Sequence, residues 1–253
     1  MSPVEAVLIA LAGVAAGTIN TVVGSGTLVT FPTLLAFGVP PVTANVSNNV
    51  GLVPGSVSGV IGYRRELVGQ RNRLMRLGAA SLLGGLVGAV LLLVLPSSAF
   101  DAIVPALIFL GVVLVVLGPR ISRAVAARAE ARGGIPDHGV WWVWPAVAAA
   151  GVYGGYFGAA QGVLLMAILG IGVADTMQRH TATKNVLALI VNAIAAVVFI
   201  AVADIDWVVA GLIAVGSVIG GQIGAGVGRR LPPTLLRGVI VAVGITALVV
   251  LLV

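Results

Sequence analysis

His180-Thr181-Ala182-Thr183-Lys184-Asn185-Val186 carries the only lysine of the chain, and almost wholly apolar sequence runs on from it to Ala203. A cation at bilayer depth costs roughly 2.5–3.5 kcal/mol on insertion scales, so an ionisable residue in such a run normally faces a bundle interior or an aqueous cavity and marks function. In the first half of the chain stands Ala44-Asn45-Val46-Ser47-Asn48-Asn49-Val50, equally polar and followed by the same kind of apolar run. Two polar patches opening two long apolar segments, at matching places, predict a duplicated helical membrane protein.

Composition points the same way. The 253 residues are 59% hydrophobic and 9% charged, with a mean hydropathy of +1.16, and such a chain lacks the polar surface to cover a soluble globule. The fold expected is an all-α polytopic membrane protein. Without cysteine there is no disulfide framework, thiolate zinc site or thiol nucleophile. The net charge of +6 bears first on orientation in a bilayer and only then on an anionic partner. Met1-Ser2-Pro3-Val4-Glu5 has no basic n-region, and no removable signal peptide is expected.

Apolar segments run from Val4 to Val23, Thr27 to Val39, Val42 to Tyr63, Leu74 to Leu95 and Phe100 to Gly118, and again from Val140 to Phe157, Val163 to Ala174, Thr176 to Ala203, Trp207 to Gly228 and Leu235 to Val253. Sliding the chain along itself until Asn49 falls on Asn185 also brings Gly26 onto Gly162, Leu28 onto Leu164, Gly84-Gly85 onto Gly220-Gly221 and Leu95-Pro96 onto Leu231-Pro232, without gaps. A single offset that also aligns segment boundaries argues for duplication. The division expected is a first transmembrane repeat over residues 1–118, a basic cytoplasmic linker over 119–138 and a second repeat over 139–253.

Each repeat then holds about five segments, three full helices plus a broken or re-entrant pair, for 8–10 transmembrane segments in all. Placing Arg64, Arg65, Arg71, Arg73 and Arg76 in the cytoplasm also returns the Arg120–Arg132 linker there. In the second half the basic residues are Arg179, Lys184, Arg229, Arg230 and Arg237, whereas Asp204 and Asp206 occupy the place of the first basic loop. Parallel repeats would strand those second-half cations outside; inverted repeats strand none, so inversion is expected.

The second segment of each repeat is too short to span. Thr27 to Gly38 makes a helix of about 18 Å against a hydrocarbon core of about 30 Å, and Gly24-Ser25-Gly26 precedes it as Ala159-Ala160-Gln161-Gly162 precedes its counterpart. Breaks at matching positions of two repeats point to a transporter binding site, because irregular backbone at depth must line a cavity or be buried in protein. A short helix starting there aims its positive end at the cavity, which suits an anion. Close packing of glycine is the plainer reading of the same residues.

On the third segments, Asp175 and Gln178 resemble a capping box, and Pro40-Pro41 opens the counterpart. Thr181, Asn185 and Asn192 fall on one helical face, as do Asn45, Asn49 and Ser56. Lys184 supplies charge and the amides and hydroxyls supply directional hydrogen bonds for an oxyanion. Interhelical packing is the competing explanation for the amides, Asn192 and Ser56 above all, and snorkelling is the one for Lys184. The candidate solute contacts are Asn20, Ser25, Gly26, Thr27, Asn45, Asn48, Asn49, Tyr156, Gln161, Gly162, Thr181, Lys184 and Asn185, with His180 the candidate for coupling to protons. Glycines every fourth residue, at Gly216 to Gly228 and Gly51 to Gly59, read as helix-packing faces, and Trp141, Trp142, Trp144 and Trp207 as interfacial anchors.

The run Ala16-Gly17-Thr18-Ile19-Asn20-Thr21-Val22-Val23-Gly24-Ser25-Gly26-Thr27-Leu28, followed by Phe31-Pro32-Thr33-Leu34, Gly38-Val39 and Ala44-Asn45-Val46-Ser47-Asn48-Asn49, resembles the amino-terminal signature of the TauE/SafE family of membrane permeases. The resemblance extends to the weaker second copy and the basic linker. It implies a carrier in the bacterial cytoplasmic (inner) membrane for small sulfur-containing anions such as sulfite or organosulfonates, usually an exporter. It also implies eight helices, which the ten segments match when each short one is merged with its neighbour. Partners are then a small anion and the lipid bilayer, with no nucleic acid, no cofactor and no metal, and with a homodimer left open. A permease for another anion, taken up or exported, is the alternative. An intramembrane enzyme is the weaker one, because Asp175, Asp204 and Asp206 lie at segment ends and no HExxH or Gly-x-Ser-x-Gly pattern exists.

Overall fold

The computed structural model describes residues 1–131 and 140–226, with the single positions 238, 241, 242 and 245. The last apolar segment, Arg229, Arg230, Arg237 and the Arg132–Pro136 loop therefore lie largely outside the described residues. Among these, all regular structure is helical: α1 (Pro3–Val22), α2 (Thr27–Ala36), α3 (Pro41–Gly62), a 3-10 turn (Arg64–Leu67), α4 (Arg71–Val94), α5 (Ser97–Ala131), α6 (Val143–Tyr156), α7 (Gln161–Gly172), α8 (Met177–Val202) and α9 (Trp207–Gly226). The chain is an all-α, multi-pass membrane protein: α1, α4, α8, α9 and the Ser97–Leu117 part of α5 are long and apolar enough to cross a bilayer. α3 has the length too, about 33 Å, although its asparagines lower its hydropathy. The basic residues from Arg120 on belong to a helical extension of α5.

Two pairs of helix starts keep the interval of the sequence match. α3 begins at Pro41 and α8 at Met177, α4 at Arg71 and α9 at Trp207, each pair separated by the interval that superposes Asn49 on Asn185. Packing between the copies follows the same exchange: α1 lies along α9, and its counterpart α6 lies along α4, the counterpart of α9.

Glycine sets these seams. Gly216 faces the backbone of Ala10 to Val14, Gly220 that of Val14 to Thr18, and Gly224 the Thr18 backbone and the Thr21 side chain. The pairs climb together, so α1 and α9 run parallel. Gly84 against Ala148 and Gly88 against Val152 to Tyr156 make α4 and α6 parallel in the same way, and Gly51 on Ile213, Gly55 on Ser217 and Gly62 on Ala225 do so for α3 and α9. A methyl group at most of these points would run into backbone, which is how small residues let membrane helices approach closely. Hydrogen bonds reinforce the seams: Thr18 Oγ1 donates to Gly220 O (3.1 Å) and Ser217 Oγ to Gly51 O (2.9 Å).

The direction of α8 follows. Asn192 meets Asn49 and Ser56 on α3, and Ile213 and Ser217 on α9 meet that same stretch of α3. The chain leaves this level at Asn192, turns within Ala203–Asp206 and returns to it on α9, so α8 runs opposite to α9 and to α3. Arginines of two helices meet at one end. Arg73 on α4 and Arg179 on α8 both grip Asp175, Arg179 Nη1 donates to Val68 O in the turn after α3 (3.1 Å), and α9 ends beside Gly62.

Both short segments return the way they came. α1 ends in a turn at Gly24 (φ +88°), a left-handed conformation that glycine adopts freely and that other residues reach only at a cost. Gly26 then lies against Ala16, and the end of α2, Phe37 to Pro40, lines one depression with Met1 and Glu5 at the start of α1. In the second copy Gly158 (φ +74°) makes the turn, and Gly172 O at the end of α7 accepts from Val140 N just ahead of α6 (3.0 Å). Each pair is a hairpin that enters and leaves by one face.

One detail of the expected capping is corrected. Thr176 is the cap of α8, its Oγ1 accepting from Arg179 N (3.4 Å), while Asp175 stands one place earlier, accepting from Thr176 N (2.9 Å) and from the two guanidiniums. With two arginines at hand, a carboxylate at this position gains more as an ion-pair hub than as a cap.

Candidate functional site

The two hairpin turns meet inside the bundle. Gly162 N donates to Gly24 O (3.0 Å), and neither glycine has room for a side chain, since a Cβ on either would collide with the Cα of the other. Beside this contact lies a cavity of about 30 Å³ walled by Asn20, Thr21, Gly24 and Thr27 from the first turn, Gly158, Gln161 and Gly162 from the second, Ser56 from α3, and Asn185, Ala188 and Asn192 from α8. That is two to three times the volume of about 10–15 Å³ that one buried water needs.

Two amide donors on the wall are unspent. Gln161 is 3% exposed and Asn185 6%, yet Gln161 Nε2 and Asn185 Nδ2 have no hydrogen-bond partner among the described residues. An orphaned buried donor costs about 1–3 kcal/mol, so two bordering one cavity at the first turn of α7 call for an acceptor there. Gly154 makes the room, its missing side chain occupied by the Gln161 amide.

Lys184 is 0% exposed and does not snorkel. Its ammonium donates to Asn20 O (2.8 Å) and Thr21 O (3.1 Å), two carbonyls in the last turn of α1 that lack intrahelical partners. A cation at a helix C-terminus also meets the negative end of its dipole. Since Asn20 and Thr21 are themselves wall residues, the charge lies directly behind the wall and is shared between holding α1 and biasing the cavity toward anions.

Of the remaining expected contacts, Asn20, Thr27 and Gly162 line the cavity with Gln161 and Asn185. Asn20 also holds the turn, its Oδ1 accepting from Gly26 N (2.8 Å). Others are placed elsewhere. Asn45 Nδ2 donates to Tyr156 O (2.9 Å), and Asn48 bonds Thr27 and Thr30, so both pin α3 to the hairpins. Thr181 Oγ1 turns back to Met177 O (2.9 Å), and the His180 ring bonds Val173 O (3.1 Å) at the end of α7. Ser25 and Asn49 are not on the cavity wall. Thr21, Gly158 and Ala188 are wall residues that the sequence reading passed over. Ser56 and Asn192 join them, although each read equally well as packing; their face-sharing with Asn49 and Asn185 was the available signal.

At the arginine end, Arg73 also donates to Gln70 Oε1 (2.8 Å), which takes a second bond from Thr183 Oγ1 (2.9 Å). Burial alone would lift the Asp175 carboxyl, but Arg73, Arg179 and the Thr176 N–H outweigh it and hold it below the usual carboxylate range. This network ties the head of α4 to the head of α8, one residue from Lys184.

The family model described as Sulfite exporter TauE/SafE matches residues 9–251, hairpins and polar helices included. The chain belongs to that family. Among curated relatives, it is 25% identical over 229 residues to the probable membrane transporter protein YfcA of Escherichia coli (strain K12), covering 90% of this chain and 82% of that one. It is also 25% identical over 245 residues to the probable membrane transporter protein ORF9 of Sinorhizobium sp, covering 94% and 88%. No solved structure matches.

Proposed function

We propose that the chain is a membrane transporter that exports a small sulfur-containing anion, sulfite or a short organosulfonate, from the cytoplasm through a site between the two hairpin turns. The observation that carries this reading is the pair of buried, unpartnered amide donors, Gln161 Nε2 and Asn185 Nδ2, on a cavity backed by the Lys184 ammonium. Donors without acceptors, the first turn of α7 and a nearby cation favour an oxyanion over a neutral or cationic solute. A unit charge roughly 7 Å from a bound anion contributes about 2.4 kcal/mol at an effective dielectric of about 20. The small volume favours an inorganic oxyanion or a very short sulfonate. Membership of the TauE/SafE family and the names of the two relatives support transport as the activity.

The two copies lie in opposite senses in the bacterial inner membrane, with the arginine end in the cytoplasm. The parallel seams α1·α9 and α4·α6 and the opposed α3 and α8 favour this arrangement, and it keeps the clustered arginines on the side where positive loops remain. The cavity lies toward that end, because Asn185 is about 10 Å along α8 from Asn192 on the arginine side.

Flux of labelled sulfite, methanesulfonate and a carboxylate control in proteoliposomes tests the reading. Native protein should carry a sulfur oxyanion, Gln161→Ala and Asn185→Ala should raise its KM tenfold or more, and Asn45→Ala should not. Carboxylate flux exceeding that of both sulfur anions would move the assignment to another solute, and flux unaffected by Gln161→Ala and Asn185→Ala would remove the site.

A further inference from the structure

We infer that Ser25 and Asn49 form a second binding station for the same anion, on the far side of the Ser56–Asn192 contact, and that the Phe31–Phe100–Tyr156–Phe157 cluster closes it. The inference rests on the transport reading above.

The atoms left without partners repeat with the fold. Among the described residues, those of the second copy include Gln161 Nε2 and Asn185 Nδ2 beside the Tyr153 and Tyr156 hydroxyls, and those of the first include Ser25 Oγ and Asn49 Oδ1. Ser25 is the repeat equivalent of Gln161, and Asn49 that of Asn185. Ser25 is 0% exposed and stands two residues before α2 as Gln161 stands at the head of α7. Its hydroxyl is a free donor beside a helix N-terminus. Asn49 uses its amide nitrogen only in a long 3.5 Å contact with Asn192, so a modest side-chain rotation would present an N–H to a solute.

Ser56 and Asn192, again equivalent positions of the two copies, touch at 3.5 Å. From there the Asn185 backbone lies about 10 Å back along α8 toward the arginine end and the Asn49 backbone about 10 Å back along α3 toward the other, because the two helices are opposed, while the Asn49 amide reaches Asn192 itself. Asn185, Asn192, Ser56 and Asn49 thus form a polar ladder through the centre of the bundle.

What distinguishes the halves is their walls. Asn20, Thr21, Gly24 and Thr27 flank the cavity, and their counterparts are Tyr156, Phe157, Ala160 and Val163, all buried and apolar but for the Tyr156 hydroxyl. Phe157 stacks edge-on against Phe31 (5.1 Å between centroids) and Phe100 (6.1 Å). Tyr156 is joined to the ladder helix by Asn45. The site that duplication provides twice is therefore polar on the arginine side and filled with aromatic rings on the other, as expected of a path shut toward the outer face.

The chain has no cysteine, so Ser25→Cys and Gln161→Cys each give a single thiol for alkylation by a charged, membrane-impermeant maleimide. The reagent is applied to spheroplasts for the outer face and to inverted vesicles for the inner. Phe157→Ala should raise the outer-face labelling rate of the Ser25→Cys protein by an order of magnitude or more and leave the Gln161→Cys protein labelled from the inner face. Methanesulfonate, which does not consume the reagent as sulfite does, should slow labelling at position 25 in that background. Phe157→Leu serves if Phe157→Ala does not fold. Labelling at position 25 only from the inner face, a rate insensitive to both Phe157 variants, or no protection by methanesulfonate would overturn the second station. Absence of all anion flux in native protein, with the thiol at position 25 still released by Phe157→Ala, would instead overturn the transport reading on which the solute assignment rests.

Discussion

Replacing Lys184 by methionine separates the structural share of its charge from the rest. The side chain keeps its length, but Asn20 O and Thr21 O, at 2.8 and 3.1 Å from the ammonium, lose their cationic donor in a site with no exposure. Hydrogen bonds to charged groups contribute about 1.5–3 kcal/mol in soluble proteins, whereas interhelical bonds in a membrane average about 0.6 and reach about 1.7. Two bonds to a full charge therefore amount to about 2–3 kcal/mol, including the helix-dipole share. Relief of the buried cation works against this loss, because the dissociated α8 keeps its lysine beside anionic headgroups, so about 2–3 kcal/mol is the upper end. Unfolding of purified protein by sodium dodecyl sulfate should show Lys184→Met less stable by up to about 2–3 kcal/mol, a factor of up to roughly 30–150 in the equilibrium constant. A Lys184→Met protein as stable as the native one or more so would refute the assignment of Lys184 to the end of α1.

Gly24→Ala should be more damaging than its size suggests: it forces a left-handed backbone at φ +88°, costing about 1–2 kcal/mol, and drives a methyl into Gly162, so folded yield on gel filtration should fall sharply, while Gly170→Ala, with open space around it, should not change it. Asn45→Ala should cost about 1–3 kcal/mol by exposing Tyr156 O to an apolar interior yet leave the KM for the transported anion unchanged. The depressed carboxyl of Asp175 contributes stability that is present above the ordinary carboxylate pKa of about 3.9 and is lost as pH falls through its lower folded value. Asp175→Asn should accordingly melt earlier than native protein from pH 5 to 8, and the two curves should converge on acidification below about pH 4.

The helices were legible because hydropathy survives in one dimension, and the starts of α3, α4, α8 and α9 keep the interval that the sequence match has. Gly24-Ser25-Gly26 announced a break, and the shortness of Thr27–Ala36 announced a hairpin, since so short a helix does not cross a bilayer. The wall residues were only half legible. Asn45 and Asn185 lie on equivalent helices and read alike, but a neighbouring carbonyl claims the amide of Asn45 and nothing among the described residues claims that of Asn185. That difference depends on which backbone carbonyls the other repeat brings near, a long-range fact with no local signature. Lys184 misled in the same way: its rarity marked it as important, but only the packing of α8 on the end of α1 reveals how much of its charge goes to holding a helix.

The exchange of partners between the two halves, α1 with α9 and α6 with α4, makes neither half self-sufficient. A polypeptide comprising residues 1–131 alone would leave α1 with no glycine seam to rest on and α4 with its seam bare, so each half depends on the other. The present protein, cut between residues 131 and 140, should be rebuilt from two co-expressed halves and from neither half alone.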